Sequence, residues 1–203
     1  MLRSGASVLF LAACVLLAAC GDRPKIARLS LDAVVLAFGD SLTFGTGASE
    51  AASYPSQLER LIGRTVVRAG VPGEVSSAGL ARLPQVLEEH HPELLILIHG
   101  GNDFLRKLDR NQAVGNLRAM VKLARDKGIA IVVVGVPEPG LLVSTAAFYA
   151  DIAEEFRLPY EGGILSTVLR DNALKSDLLH PNAEGYRKIA EALAQLLKEA
   201  GAI

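Results

Sequence analysis

Along most of this chain, short unbroken apolar runs alternate with stretches in which apolar residues return every three or four positions. Ala33-Val34-Val35-Leu36-Ala37-Phe38, Leu94-Leu95-Ile96-Leu97-Ile98 and Ile129-Ala130-Ile131-Val132-Val133-Val134 read as buried strands, and Thr65-Val66-Val67-Arg68-Ala69 as a weaker one. A strand that is apolar at every position is covered on both faces, which is the environment of a parallel sheet. The helical period predicts helices over residues 54–62, 78–90, 111–127, 145–156 and 183–200. In the last of these, Ile189, Leu193, Leu196 and Leu197 fall on one face, and Asn182 stands at the N-cap position. The alternation predicts an α/β fold: a flavodoxin-like, doubly wound parallel sheet of about five strands with helices on both faces.

The first residues break this pattern. Arg3 precedes the apolar run from Val8 to Leu17, and the small residues Ala18 and Ala19 follow. Basic flank, short apolar core and small residues read as a secretory signal peptide, and the run falls short of the ~20 residues that span a bilayer comfortably. Leu17-Ala18-Ala19-Cys20-Gly21 resembles the lipobox of bacterial lipoproteins, which implies that Cys20 is lipidated and becomes the first mature residue. The expected organisation is a signal peptide over residues 1–19, a lipidated cysteine and polar tether over 20–30, and one domain over 31–203, held by its lipid on the extracytoplasmic side of an envelope membrane.

Composition removes several classes of function. The only cysteines are Cys14 and Cys20, so the mature domain has no disulfide, no cysteine nucleophile and no cysteine-based metal site. Taking away residues 1–19 removes one charge, that of Arg3, and shifts the formal net charge from −1 to −2. That balance gives no electrostatic reason to expect nucleic acid as a partner. No His/Asp/Glu set shows metal-ligand spacing, and neither a metal nor another cofactor is expected.

Ligands of doubly wound sheets bind at the carboxyl ends of the strands. Gly39-Asp40-Ser41 follows the first predicted strand, Gly70-Val71-Pro72-Gly73-Glu74 the second and His99-Gly100-Gly101-Asn102-Asp103 the third; Asp177-Leu178-Leu179-His180-Pro181 precedes the last helix. A serine becomes a useful nucleophile when an imidazole takes its proton and a third group fixes the imidazole tautomer. Ser41, His180 and Asp177 can fill these roles, and acid and base three residues apart let a single turn fix both. Asp40 and Asp103 read as loop organisers, His90 and His91 as a solvated helix end, and His99 as packing beneath the site or, as the alternative, contacting substrate.

These segments, in this order and over about residues 33–200, resemble the SGNH hydrolases, also called GDSL esterases and lipases, in their bacterial arylesterase and lysophospholipase/thioesterase branch. Gly39-Asp40-Ser41-Leu42, Ala69-Gly70-Val71-Pro72-Gly73-Glu74, Gly100-Gly101-Asn102-Asp103 and Asp177-Leu178-Leu179-His180-Pro181 match the family blocks, and Gly79-Leu80-Ala81-Arg82-Leu83-Pro84 looks like this branch. Arg68 departs from the pattern, standing where the family usually has asparagine. The resemblance implies that Ser41 attacks a carboxylic ester and forms an acyl-enzyme. It also implies an oxyanion hole of the Ser41 and Gly73 N–H groups and the Asn102 amide. The apolar residues Phe44, Phe104, Leu105, Leu178 and Leu179 are expected to contact substrate, with 137–143 as a wall, which suits an acyl or aryl ester, a lysophospholipid or a thioester. Two other readings stay open: a carbohydrate O-deacetylase with the same triad, and an envelope lipoprotein that kept the fold without its chemistry.

Overall fold

The computed structural model describes residues 24–138 and 143–203. The predicted signal peptide and Cys20 lie outside these residues. The strands are β1 (Val34–Gly39), β2 (Thr65–Gly70), β3 (Leu94–Ile98), β4 (Ala130–Val134), β5 (Pro137–Glu138), β6 (Ser144–Thr145) and β7 (Tyr160–Glu161). The helices are α1 (Ser41–Phe44), α2 (Tyr54–Ile62), α3 (Ser76–His90), α4 (Gly101–Leu105), α5 (Arg110–Asp126), α6 (Phe148–Phe156), α7 (Ile164–Arg170) and α8 (Ala183–Glu199).

Five strands form one parallel sheet in the order β2-β1-β3-β4-β7, with β5 and β6 a separate antiparallel pair. In β3 every residue is buried, and in β1 and β4 every residue after the first. Both faces are therefore covered: α2 packs with α8, and α3 with α5, in layers on either side of the sheet. Burial on both faces is what the unbroken apolar runs required. The strand order reverses between β1 and β3, and at such a switch point the loops diverge and leave a crevice.

Three parts depart from the pattern expected of the sequence. The predicted helix over 145–156 starts at Phe148, because Ser144 and Thr145 pair with β5 and the Thr145 hydroxyl donates to the Gly162 carbonyl at 2.6 Å. The strand β7 and the helix α7 were not foreseen, the first being too short to show alternation and the second only two turns long. Residues 24–30, expected as a tether, are docked: Ile26 and Leu29 are buried, and their N–H groups donate to Ala200 and Ala202 at 2.9 Å beyond the C-terminal end of α8.

Candidate active site

The loop after β1 begins the site. Asp40 caps α1, its carboxylate accepting the Leu42 N–H at 3.1 Å, and this sets Ser41 as the first residue of the short helix at the mouth of the crevice. Neither the Ser41 nor the Gly73 N–H donates to a protein acceptor among the described residues. Asp40 is buried, and burial raises its pKa, opposed chiefly by the nearby His99 ring and the Leu42 N–H.

The final loop brings acid and base to the same place. His180 Nε2 lies 3.0 Å from Ser41 Oγ, and His180 Nδ1 lies 2.8 Å from Asp177 Oδ2. The carboxylate accepts, so Nδ1 carries the proton and Nε2 is left to receive that of the serine. Asp177 Oδ1 also accepts the Leu179 and His180 N–H groups, at 2.7 and 2.9 Å, so the turn that holds the imidazole is built on the carboxylate that orients it. The Asp177 pKa is lowered: slight burial pushes it up, but these N–H groups and the His180 ring outweigh that push.

The two further predicted donors face this pair from separate loops. Gly73 takes a φ of +77°, a conformation that a residue with a Cβ adopts at a cost, and Arg106 holds its carbonyl at 2.7 Å. The Asn102 amide, in the first turn of α4, donates to the Glu74 carbonyl at 3.0 Å and at a longer 3.3 Å to Asp40. Asp103 is buried and takes the Ser76 N–H and hydroxyl at 2.8 and 2.7 Å, joining the loops after β2 and β3.

Asp40, Ser41, Gly73, Asn102 and His180 line a cleft of about 300 Å³ whose walls are mainly apolar. Leu105, Leu178 and Leu179 line it, Leu178 being 86% exposed at its lip. Of the predicted wall, Pro137, Glu138 and Val143 line the cleft, and residues 139–142 lie outside those described. Val136 and Leu169 complete the wall. Leu169 went unseen in the sequence because its helix, α7, carried too weak a pattern.

Two predicted contacts are corrected. Phe44 stands outside the cleft: the Arg68 guanidinium lies 4.8 Å from its ring centre and donates to its carbonyl at 2.6 Å. Arg68, the departure from the family pattern, thus clamps the end of α1 and pairs with Glu50 at 3.1 Å. Phe104 is one helical step from Leu105 and faces away from the cleft, its ring 5.9 Å from that of Phe148.

Three histidines are accounted for by structure. His90 is in the last turn of α3 and His91 caps it with a φ of +43°. His99 is fully buried beside Phe38, beneath the cleft.

Residues 37–188 match the GDSL-like Lipase/Acylhydrolase family. An arylesterase of Vibrio mimicus is 32% identical over 174 residues, which are 80% of this chain and 87% of that protein. Thioesterase 1/protease 1/lysophospholipase L1 of Escherichia coli (strain K12) is 32% identical over 172 residues, 81% of this chain and 83% of that protein. Among solved structures, the crystal structure of TesA superposes with a TM-score of 0.74 at 25% identity and covers 82% of this chain and 99% of that one.

Proposed function

The chain belongs to the GDSL-like lipase/acylhydrolase family, and from that footing we propose that Ser41, His180 and Asp177 hydrolyse carboxylic esters through an acyl-enzyme. It is a serine esterase of the SGNH type. The observation that carries the assignment of residues is the unbroken chain from Ser41 Oγ through the His180 imidazole to the Asp177 carboxylate, at 3.0 and 2.8 Å.

Ser41 Oγ attacks the ester carbonyl and its proton passes to His180 Nε2, while Asp177 keeps Nδ1–H aligned and stabilises the imidazolium. Negative charge builds on the former carbonyl oxygen, where the free Ser41 and Gly73 N–H groups and the Asn102 amide receive it. The longer Asn102 contact, that to Asp40, is the one a developing oxyanion can replace. Collapse of the tetrahedral intermediate breaks the ester C–O bond, and His180 returns the proton to the leaving alcohol. Water then attacks the acyl-enzyme by the same route, and release of the carboxylic acid restores Ser41.

An apolar cleft favours a fatty acyl or aryl group over a sugar. We assign lysophospholipids and other acyl or aryl esters as the substrate class, with thioesters cleaved by the same acyl transfer. Cys20, in its lipobox-like setting, is assigned the lipid that holds the domain to an envelope membrane.

The test is Ser41→Ala, with p-nitrophenyl esters from acetate to palmitate as the assay. The variant is expected to keep its thermal midpoint and lose about 10⁴–10⁶ in turnover. Retained turnover would end the mechanism, and failure of native Ser41 to react with a fluorophosphonate would favour a non-catalytic lipoprotein. Activity confined to acetyl esters would instead favour the carbohydrate O-deacetylase.

A further inference from the structure

Gly73 and Asn102 come from different loops, so the distance between their donors is set by what ties the loops together. Behind them lies Glu74, whose side chain is 7% exposed. A buried carboxylate is tolerated when charge and hydrogen bonds match it. Arg82 donates to it from two nitrogens, Nε at 2.9 Å and Nη2 at 2.7 Å, and His99 Nε2 lies 3.1 Å from Oε2. Burial works to raise the pKa of Glu74, but the hydrogen bonds from His99 and Arg82 hold it down at about 2.

Neither partner is free to move. His99 Nδ1 accepts the Gly100 N–H at 2.9 Å, which places the ring proton on Nε2, facing Glu74. The His99 carbonyl receives the buried Tyr149 hydroxyl at 2.7 Å. Gly79 makes room for the ring: a Cβ there would stand 2.3 Å from His99 Nε2. The Arg82 guanidinium lies 4.2 Å from the centre of the Phe38 ring and donates to the Ala69 carbonyl at 3.2 Å.

We propose that Glu74 is a positioning residue for ester hydrolysis, fixing the spacing between the Gly73 N–H and the Asn102 amide. Its backbone joins the two donors, since the Glu74 N–H closes the turn onto the Val71 carbonyl at 3.1 Å and its own carbonyl accepts the Asn102 amide at 3.0 Å. Its side chain locks that turn to His99, three residues before Asn102 on the other loop, and to Arg82 on α3. The Asp103–Ser76 clamp holds the same loops independently, so loss of the Glu74 charge loosens the donors without releasing the loops.

This rests on the oxyanion roles given to Gly73 and Asn102, and the test separates the two ideas. Glu74→Gln, Glu74→Ala and Asn102→Ala are compared for kcat and KM on p-nitrophenyl butyrate, for affinity to an alkyl boronic acid that forms a tetrahedral adduct with Ser41, and for thermal midpoint. Loss of a whole donor costs about 10²–10³ in turnover, so a misplaced pair is expected to cost about 10–100-fold in kcat. KM should stay within about threefold, boronate affinity should fall in proportion to kcat, and Glu74→Gln should lose less than Glu74→Ala.

If Asn102→Ala loses both kcat and boronate affinity while folded Glu74→Ala keeps them, the positioning proposal falls and the oxyanion reading stands. If Asn102→Ala keeps both, the oxyanion reading itself fails. A kcat loss in Glu74→Gln that tracks only its thermal midpoint, with boronate affinity unchanged, would reduce Glu74 to a folding role. Should Glu74→Ala not fold, the Glu74→Gln comparison decides alone.

Discussion

At the scale of single residues, Asp177 has two duties that mutation can separate. It orients the His180 ring, and it accepts the Leu179 and His180 N–H groups that shape the turn. Asp177→Asn is expected to lower kcat by roughly 10³–10⁴, as loss of the orienting charge does in other triads, with little change in thermal midpoint. Asp177→Ala should add a loss of stability, measurable by thermal unfolding. Glu74 gives a pH signature. Its folded pKa of about 2 lies below the ordinary 4.5, so its contribution to stability is complete above about pH 4.5 and disappears as pH falls toward 2. Acid unfolding followed by circular dichroism should be shallower in that window for Glu74→Gln. The proposed triad was legible in the sequence because serine, histidine and aspartate carry their chemistry in their identities. Glu74 was not, since its importance comes from His99 and Arg82, which only the fold brings to it. Phe44 and Phe104 misled for the converse reason: an aromatic near a site in sequence says nothing of the direction in which its ring points.

At the scale of elements, the strands β1, β3 and β4 and the long helices followed from hydrophobic period alone, because each buries enough side chains to leave a clear pattern. The two-residue strands and α7 did not, and with α7 went Leu169, part of the cleft wall. That helix makes a prediction about specificity. Leu169→Phe adds bulk to the wall and is expected to reduce kcat/KM on octanoyl and longer esters at least ~10-fold relative to acetate, read from a chain-length series. The packing of α3 against His99, the residue that follows β3, makes another. Because His99 is fully buried, it cannot swing away from a new methyl group at the Gly79 position, 2.3 Å from its Nε2. Gly79→Ala should destabilise the protein by about 1–3 kcal/mol, measured by urea unfolding.

At the scale of the whole molecule, the sheet has two ends with different work. The proposed nucleophile, base and oxyanion donors gather at the carboxyl ends of the strands, where α8 begins two residues after Pro181. The docked residues Ile26 and Leu29 lie at the far end of the same helix. Its 17 residues put about 26 Å between the two ends. Replacement of the proposed lipid site, Cys20→Ser, is expected to move the protein from the membrane to the soluble fraction, as fractionation of cells would show. With the lipid in place, the stretch from Cys20 to Pro24 reaches at most ~14 Å, too little for the mouth of the cleft to bend back to its own supporting leaflet while Ile26 and Leu29 stay seated. The enzyme would then stand like a lamp on a short stem, open to esters arriving from the aqueous space or a facing bilayer and turned from the lipids beneath it. Lengthening the stem by about 20 flexible residues should make those lipids accessible.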